Sequence, residues 1–129
     1  EEVIDMLQAL NIGEDGSMST IHANSARDAL YRLETIVMLS SDIPLKALRR
    51  QIASGIDIII HLGRLRDKSR RFLEILEVQG MEESEIVTHP LYVFEETGEE
   101  MGHVEGRLIK KDSLFHRGKL LRAGLAHEL

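Results

Sequence analysis

The residues best suited to chemistry lie close together in the run Gly16-Ser17-Met18-Ser19-Thr20-Ile21-His22-Ala23-Asn24. His22 would stand near the C-terminal end of a short strand, the edge of an α/β sheet where ligands commonly bind. An imidazole there can donate or accept a hydrogen bond, to a phosphate oxygen or an attacking water among other partners. Spacing alone favours a histidine satisfied by its neighbours at a strand end. Ser19 and Thr20 alternate along the same strand, so their hydroxyls face opposite sides and serve packing or water positioning. Asn24 reads first as a cap or turn residue. The remaining histidines, His61, His89, His103, His116 and His127, show no metal-ligand spacing, so no metal site is expected.

The elements that must position these groups follow from periodicity. Val3, Ile4, Leu7 and Leu10 predict a helix over Glu2 to Leu10, and Asn11 to Gly16 a turn. The chain starts with Glu rather than Met, inside or just before that helix, so it reads as part of a longer protein. Ser17 to Ala23 is the expected strand. Asn24 or Ser25 then caps a helix whose Ser25-Ala26-Arg27-Asp28 resembles a capping box. Ala29, Leu30, Leu33, Ile36, Val37 and Leu39 are expected to form its wide buried face, ending near Ser40. Pro44 starts a second helix, Leu45 to about Ser54, and Gly55 ends it.

The run Ile56-Asp57-Ile58-Ile59-Ile60 is nearly unbroken and β-branched, which suggests a strand buried on both faces. It should continue to about Arg66, turn at Asp67-Lys68 and return over Arg70 to Val78, with Gly80 closing the hairpin. Further on, Ile86-Val87 and Leu91 to Phe94 suggest two short strands around Pro90, and Val104 to Leu108 another. The Glu-rich stretch 95–100 is the candidate mobile loop, and Ser113 to Leu125 a terminal helix. The fold class is α/β, with too few strand-helix units for a complete layered sheet.

A family likeness rests on much of this. Glu2 to Asn11, then Gly13, Asp15-Gly16-Ser17 and Ser19 to Asn24, is similar to the segment after the Walker B strand in type II/IV secretion and pilus-assembly ATPases, nearest in pattern to the Tad (Flp) pilus branch. Arg27 to Leu30, Arg32-Leu33-Glu34, Gln51 to Ser54, Arg64 to Asp67, Ser69 to Arg71 and Glu77 to Glu82 extend it. Ile12 and Glu14 depart from the Thr and His often found in that turn.

The resemblance implies a partial RecA-like P-loop NTPase domain, the C-terminal portion without its Walker A half. Residues 1–80 would carry the domain's "His box", and residues 81–129 a variable appendix. It implies that the parent protein is a cytoplasmic ATPase in a hexameric ring. That ring would bind ATP and Mg²⁺, work against an inner-membrane secretion or pilus platform protein, and drive protein export or pilin assembly. His22 would sense phosphate or water there, with Ser19, Thr20, Asn24 and Glu2 beside the nucleotide. The competing reading is a non-catalytic interaction or regulatory module that keeps half of the fold.

What the chain lacks limits what it does alone. No G-x-x-x-x-G-K-[ST] phosphate loop occurs, and Gly118-Lys119-Leu120 lacks both the upstream glycine and the hydroxyl residue. Without that loop and the Mg²⁺-binding carboxylate the chain is expected to bind no nucleotide and hydrolyse no ATP by itself.

Bulk properties agree with a folded domain. The 129 residues are 43% hydrophobic and 29% charged, with no cysteine for disulfides or thiolate metal sites. The formal net charge of −6 argues against sequence-independent nucleic-acid binding. The charge is segregated: Lys46 to Arg71 holds eight Lys and Arg residues against Asp57 and Asp67, and Glu82 to Glu105 eight Glu and no Lys or Arg. Arg64, Arg66, Lys68, Arg70 and Arg71 would surround the hairpin tip, as a solvated turn or as a dock for an acidic partner. Arg27 and Arg32 lie on different sides of the first capped helix; one of them could reach phosphate or a neighbouring subunit, but a solvated surface or pairing with Asp28 or Glu34 is the plainer role.

Overall fold

The computed structural model describes residues 20–116. The expected helix over Glu2 to Leu10, the turn after it, the first part of the Ser17 strand and most of the terminal helix lie outside the described residues.

Two helices and a four-stranded sheet make up the described chain, an α/β arrangement. Helix α1 is Ala26–Ser40, α2 is Leu45–Gly55, and the strands are β1 Ile58–Arg64, β2 Arg70–Glu82, β3 Glu85–Glu100 and β4 His103–Lys110. The strands follow chain order across the sheet, with β1–β2 and β3–β4 antiparallel. Two compact units share β2 and β3. One holds the described residues up to Asp57 with Val78–Thr88; the other holds Ile58–Glu77 and the chain from His89 onward.

In the first unit, α1 buries Ala26, Ala29, Leu30, Leu33 and Val37. These follow the helical period, and α1 packs on α2. Ile36 and Leu39, expected on that face, are exposed at 38% and 84%. Leu39 lies roughly 120° around the helix from Leu33, so an apolar type alone misassigned it. On α2, Leu48 and Ile52 are one turn apart and wholly buried. Glu34 is buried as well, and Arg49 Nε donates to its Oε1 at 2.7 Å. Arg49 Nη1 donates onward to Glu85 Oε1 and to the Ser84 carbonyl, tying the β2–β3 turn to both helices.

In the second unit, the β1–β2 hairpin matches the sequence expectation, but β1 is not buried on both faces. It is an edge strand with alternating exposure, and Ile58, Ile60 and Leu62 are 39%, 49% and 59% exposed. Nor does Gly80 end the hairpin's return strand, since β2 runs to Glu82.

The expected short strands around Pro90 are one strand, β3. Proline disfavours a central strand because it cannot donate to the ladder. Here Pro90 precedes the stretch of β3 paired with β4, which begins at Tyr92. The Glu-rich stretch 95–100 is strand, not loop. Its like charges are met by cations: Arg66 pairs with Glu96 and Glu99, Lys111 approaches Glu95, and Arg107 sits opposite Glu95 in register. Both remaining turns, Glu83-Ser84 and Met101-Gly102, have positive φ at each residue, the twist that suits two-residue hairpins. Residues 113–116, the expected start of the terminal helix, are not helical. Instead the buried Glu77 carboxylate accepts the Phe115 and His116 N–H groups at 2.7 and 2.9 Å.

Candidate functional site

The site is built at the N-terminus of α1. Ser25 is the N-cap, its hydroxyl accepting the Asp28 N–H at 2.9 Å. Asp28 answers with Oδ2, which accepts the Asn24 N–H at 3.0 Å and the Arg32 Nε–H at 2.8 Å. This is the capping box expected from sequence, shifted by one: the third helical residue reaches the N–H before the cap rather than the cap's own. The Asn24 N–H, and then Arg32, hold the Asp28 carboxyl below the usual carboxylate range.

That lock fixes the end of the segment carrying His22. Residues Thr20 to Ala23 are not strand, contrary to the sequence expectation for this part of the run. They lead into α1, where an open groove of about 670 Å³ is lined by Thr20, Ile21, His22, Asp28, Tyr31, Arg32, Thr35 and Ile36. Thr20 and His22, both exposed, therefore line the same groove as Arg32. Asn24 is exposed and holds the turn through its N–H instead of lining the groove. Ser19 and Glu2 lie outside the described residues.

Sequence reasoning weighed Arg32 for phosphate but preferred an ion pair or solvated surface, and it did not consider Tyr31 and Thr35 for the site. Their signal was present: from Asp28 they follow at steps that bring side chains to one side of a helix. Arg27 turns elsewhere, donating to Thr88 Oγ1 at 2.8 Å with its guanidinium 5.8 Å from the Tyr31 ring centre. Chemically, the groove offers donors to an anion: a guanidinium, an imidazole and a hydroxyl. It has one carboxylate, already engaged, and among the described residues no cluster of His, Asp and Glu could hold a metal ion.

At the β1–β2 tip, Asp67 plays a similar part. Its carboxylate accepts the Ser69 hydroxyl at 2.5 Å, the Val104 N–H at 2.7 Å and the Ser69 N–H at 2.9 Å. These bonds, the Ser69 hydroxyl foremost, hold it far below its ordinary value. Of the basic cluster, Arg66 is engaged with Glu96 and Glu99, while Arg71 donates to the Val104 carbonyl and lies over the Phe94 ring. Arg64, Lys68 and Arg70 are exposed.

Comparison with known proteins decides the family. The family model described as type II/IV secretion system protein matches residues 1–108. The chain belongs to the type II/IV secretion system protein family. It is 35% identical over 81 residues to a Mycobacterium tuberculosis protein named "Putative conjugal transfer protein", covering 63% of this chain and 23% of the relative. It is 32% identical over 77 residues to conjugal transfer protein TrbB of Rhizobium radiobacter, covering 60% and 23%. With type IV secretion system protein PtlH of Bordetella pertussis it shares 37% identity over 85 residues, covering 62% and 25%. The chain thus spans about a quarter of the length of these curated relatives. Among the described residues of this family member, no helix is long and apolar enough to cross a membrane.

Proposed function

We propose that this chain is the C-terminal portion of the RecA-like motor domain of a secretion or pilus-assembly ATPase, and that the groove at α1 forms one wall of its nucleotide site. The observation that carries this reading is the placement of His22 and Thr20 beside Arg32 in an open groove, within the stretch matched by the family model. The groove's donors suit phosphate oxygens, but its single engaged carboxylate does not suit Mg²⁺. The phosphate loop and the metal-binding carboxylate therefore belong to the longer protein, and the 129-residue chain alone turns over no ATP. In that protein ATP and Mg²⁺ supply the phosphoryl chemistry, while His22 hydrogen-bonds phosphate or water and Thr20 and Arg32 orient it. The working state is a cytoplasmic homohexameric ring. It meets an inner-membrane platform protein and exports protein or assembles pilin.

The test is His22→Ala in the longer protein. Losing one hydrogen bond to a charged group should lower ATP turnover by about 10- to 100-fold, and secretion or conjugation should fall with it. Unchanged turnover and unchanged export would remove His22 from the site. A natural reading frame with no phosphate loop upstream of Glu1 would favour the interaction-module reading instead.

A further inference from the structure

Several arginine side chains of the described chain are spent on the fold. Arg49 gives Nε to Glu34 and Nη1 to Glu85 and the Ser84 carbonyl, and only 15% of its side chain is exposed. Arg27 gives an Nη nitrogen to Thr88, Arg66 to Glu96 and Glu99, and Arg71 to the Val104 carbonyl. Arg32 differs. Its bond is Nε–H to Asp28 Oδ2 at 2.8 Å, 50% of its side chain is exposed, and neither Nη bonds a described residue. A two-point carboxylate–guanidinium pair would engage Asp28 Oδ1 as well, and here only Oδ2 takes part. The contact is therefore side-on. It fixes the guanidinium and leaves the Nη pair, the fork that matches two oxygens of a phosphoryl group, available.

The same Asp28 oxygen accepts the Asn24 N–H at 3.0 Å, two residues beyond His22. Ser25 Oγ accepts the Asp28 N–H at 2.9 Å, so the residue that bears the carboxylate is itself held. One oxygen atom thus pegs both the segment that carries His22 and the guanidinium of Arg32, two donors that line one groove. A half-exposed pair at this helical spacing adds little stability, so its larger consequence is geometric. We propose that Asp28 is a positioning residue of the groove: through Oδ2 it sets the His22 segment and the Arg32 fork in one register, so that a phosphoryl group meets imidazole and guanidinium together. Asp28 itself does not touch the phosphate, because like charges repel. Without it both donors remain but move independently, and donors misplaced by about 1 Å cost up to about 100-fold in rate. The inference rests on the reading of the groove as one wall of a nucleotide site.

The experiment follows ATP turnover in the protein encoded by the longer natural reading frame, with His22→Ala, Arg32→Ala and Asp28→Ala alone and in pairs. Asp28→Ala should lower kcat about tenfold and move KM by less than about twofold. In an Arg32→Ala background the same change should cost less than about twofold, because a group it positions is gone. Asp28→Asn keeps an acceptor oxygen without the charge, and it carries the test if Asp28→Ala does not fold. Its kcat should fall about threefold, since a charge-assisted bond is replaced by a neutral one. An unchanged kcat in Asp28→Ala, or an equal loss with Arg32 present and absent, would make Asp28 a helix cap only. Either result overturns the proposal and leaves the nucleotide reading standing, as does full kcat in Asp28→Asn where Asp28→Ala does not fold. Unchanged turnover in both His22→Ala and Arg32→Ala would sink the nucleotide reading, and this inference with it.

Discussion

Helix α2 and strand β1 are neighbours in sequence, both amphipathic, and they fare differently. On α2, Leu48 and Ile52 are completely buried, and Arg49 between them closes an ion pair with Glu34. On β1, the alternating Ile58, Ile60 and Leu62 are each more than a third exposed, and Arg64 meets another arginine in register. Hydrophobic pattern states which side chains need cover. Whether the cover lies nearby is a separate fact: among the described residues α2 has it and β1 has less of it.

The contrast can be broken hardest at α2. Leu48→Ala removes a wholly buried side chain and leaves a cavity, so unfolding free energy should fall by about 4 kcal/mol, read by urea titration. Arg49→Ala strands the buried Glu34 carboxylate and frees the β2–β3 turn. The expected loss is about 3 kcal/mol, with much of it recovered when Glu34→Leu is added, because the uncompensated charge is then gone.

Acid should act on the two turn-locking aspartates, Asp28 and Asp67, whose folded values both lie below the ordinary one. Each contributes stability that is fully present above its unfolded value, about 3.9, and is lost as pH falls through the lower folded value. Stability should therefore drop below about pH 4, and Asp67→Asn should flatten that decline when melting is followed against pH. The smallest effect belongs to β1: Leu62→Ala in this chain should change unfolding free energy by less than about 0.5 kcal/mol. A loss as large as that of Leu48→Ala would show that the stripe is covered after all and would erase the contrast.

Legibility in the sequence followed the range of the forces involved. The Ser25 cap, the Asp28 lock, both helices and the β1–β2 hairpin were readable because each depends on residues a few positions apart. The β2–β3 and β3–β4 hairpins were not, because Glu83-Ser84 and Met101-Gly102 adopt positive φ without the Asn-Gly or Asp-Gly pair that normally signals it. The Glu-rich end of β3 looked like a loop because the cations that hold it, Arg66 above all, come from a distant turn. The groove was half legible. His22 and Thr20 stood out by type, whereas only the structure distinguished Arg32, which lines the groove, from Arg27, which does not.

By itself, the sequence determined the family, the caps and the periodic faces, since these are written in residue type and short spacing. Only the tertiary structure decided that Glu34 is answered by Arg49, that Glu77 holds the backbone of Phe115 and His116, and that β1 is the edge strand of the described sheet. Those outcomes depend on what arrives from tens of residues away. A side chain's own chemistry sets the cost of burial or exposure, but not which neighbour meets it.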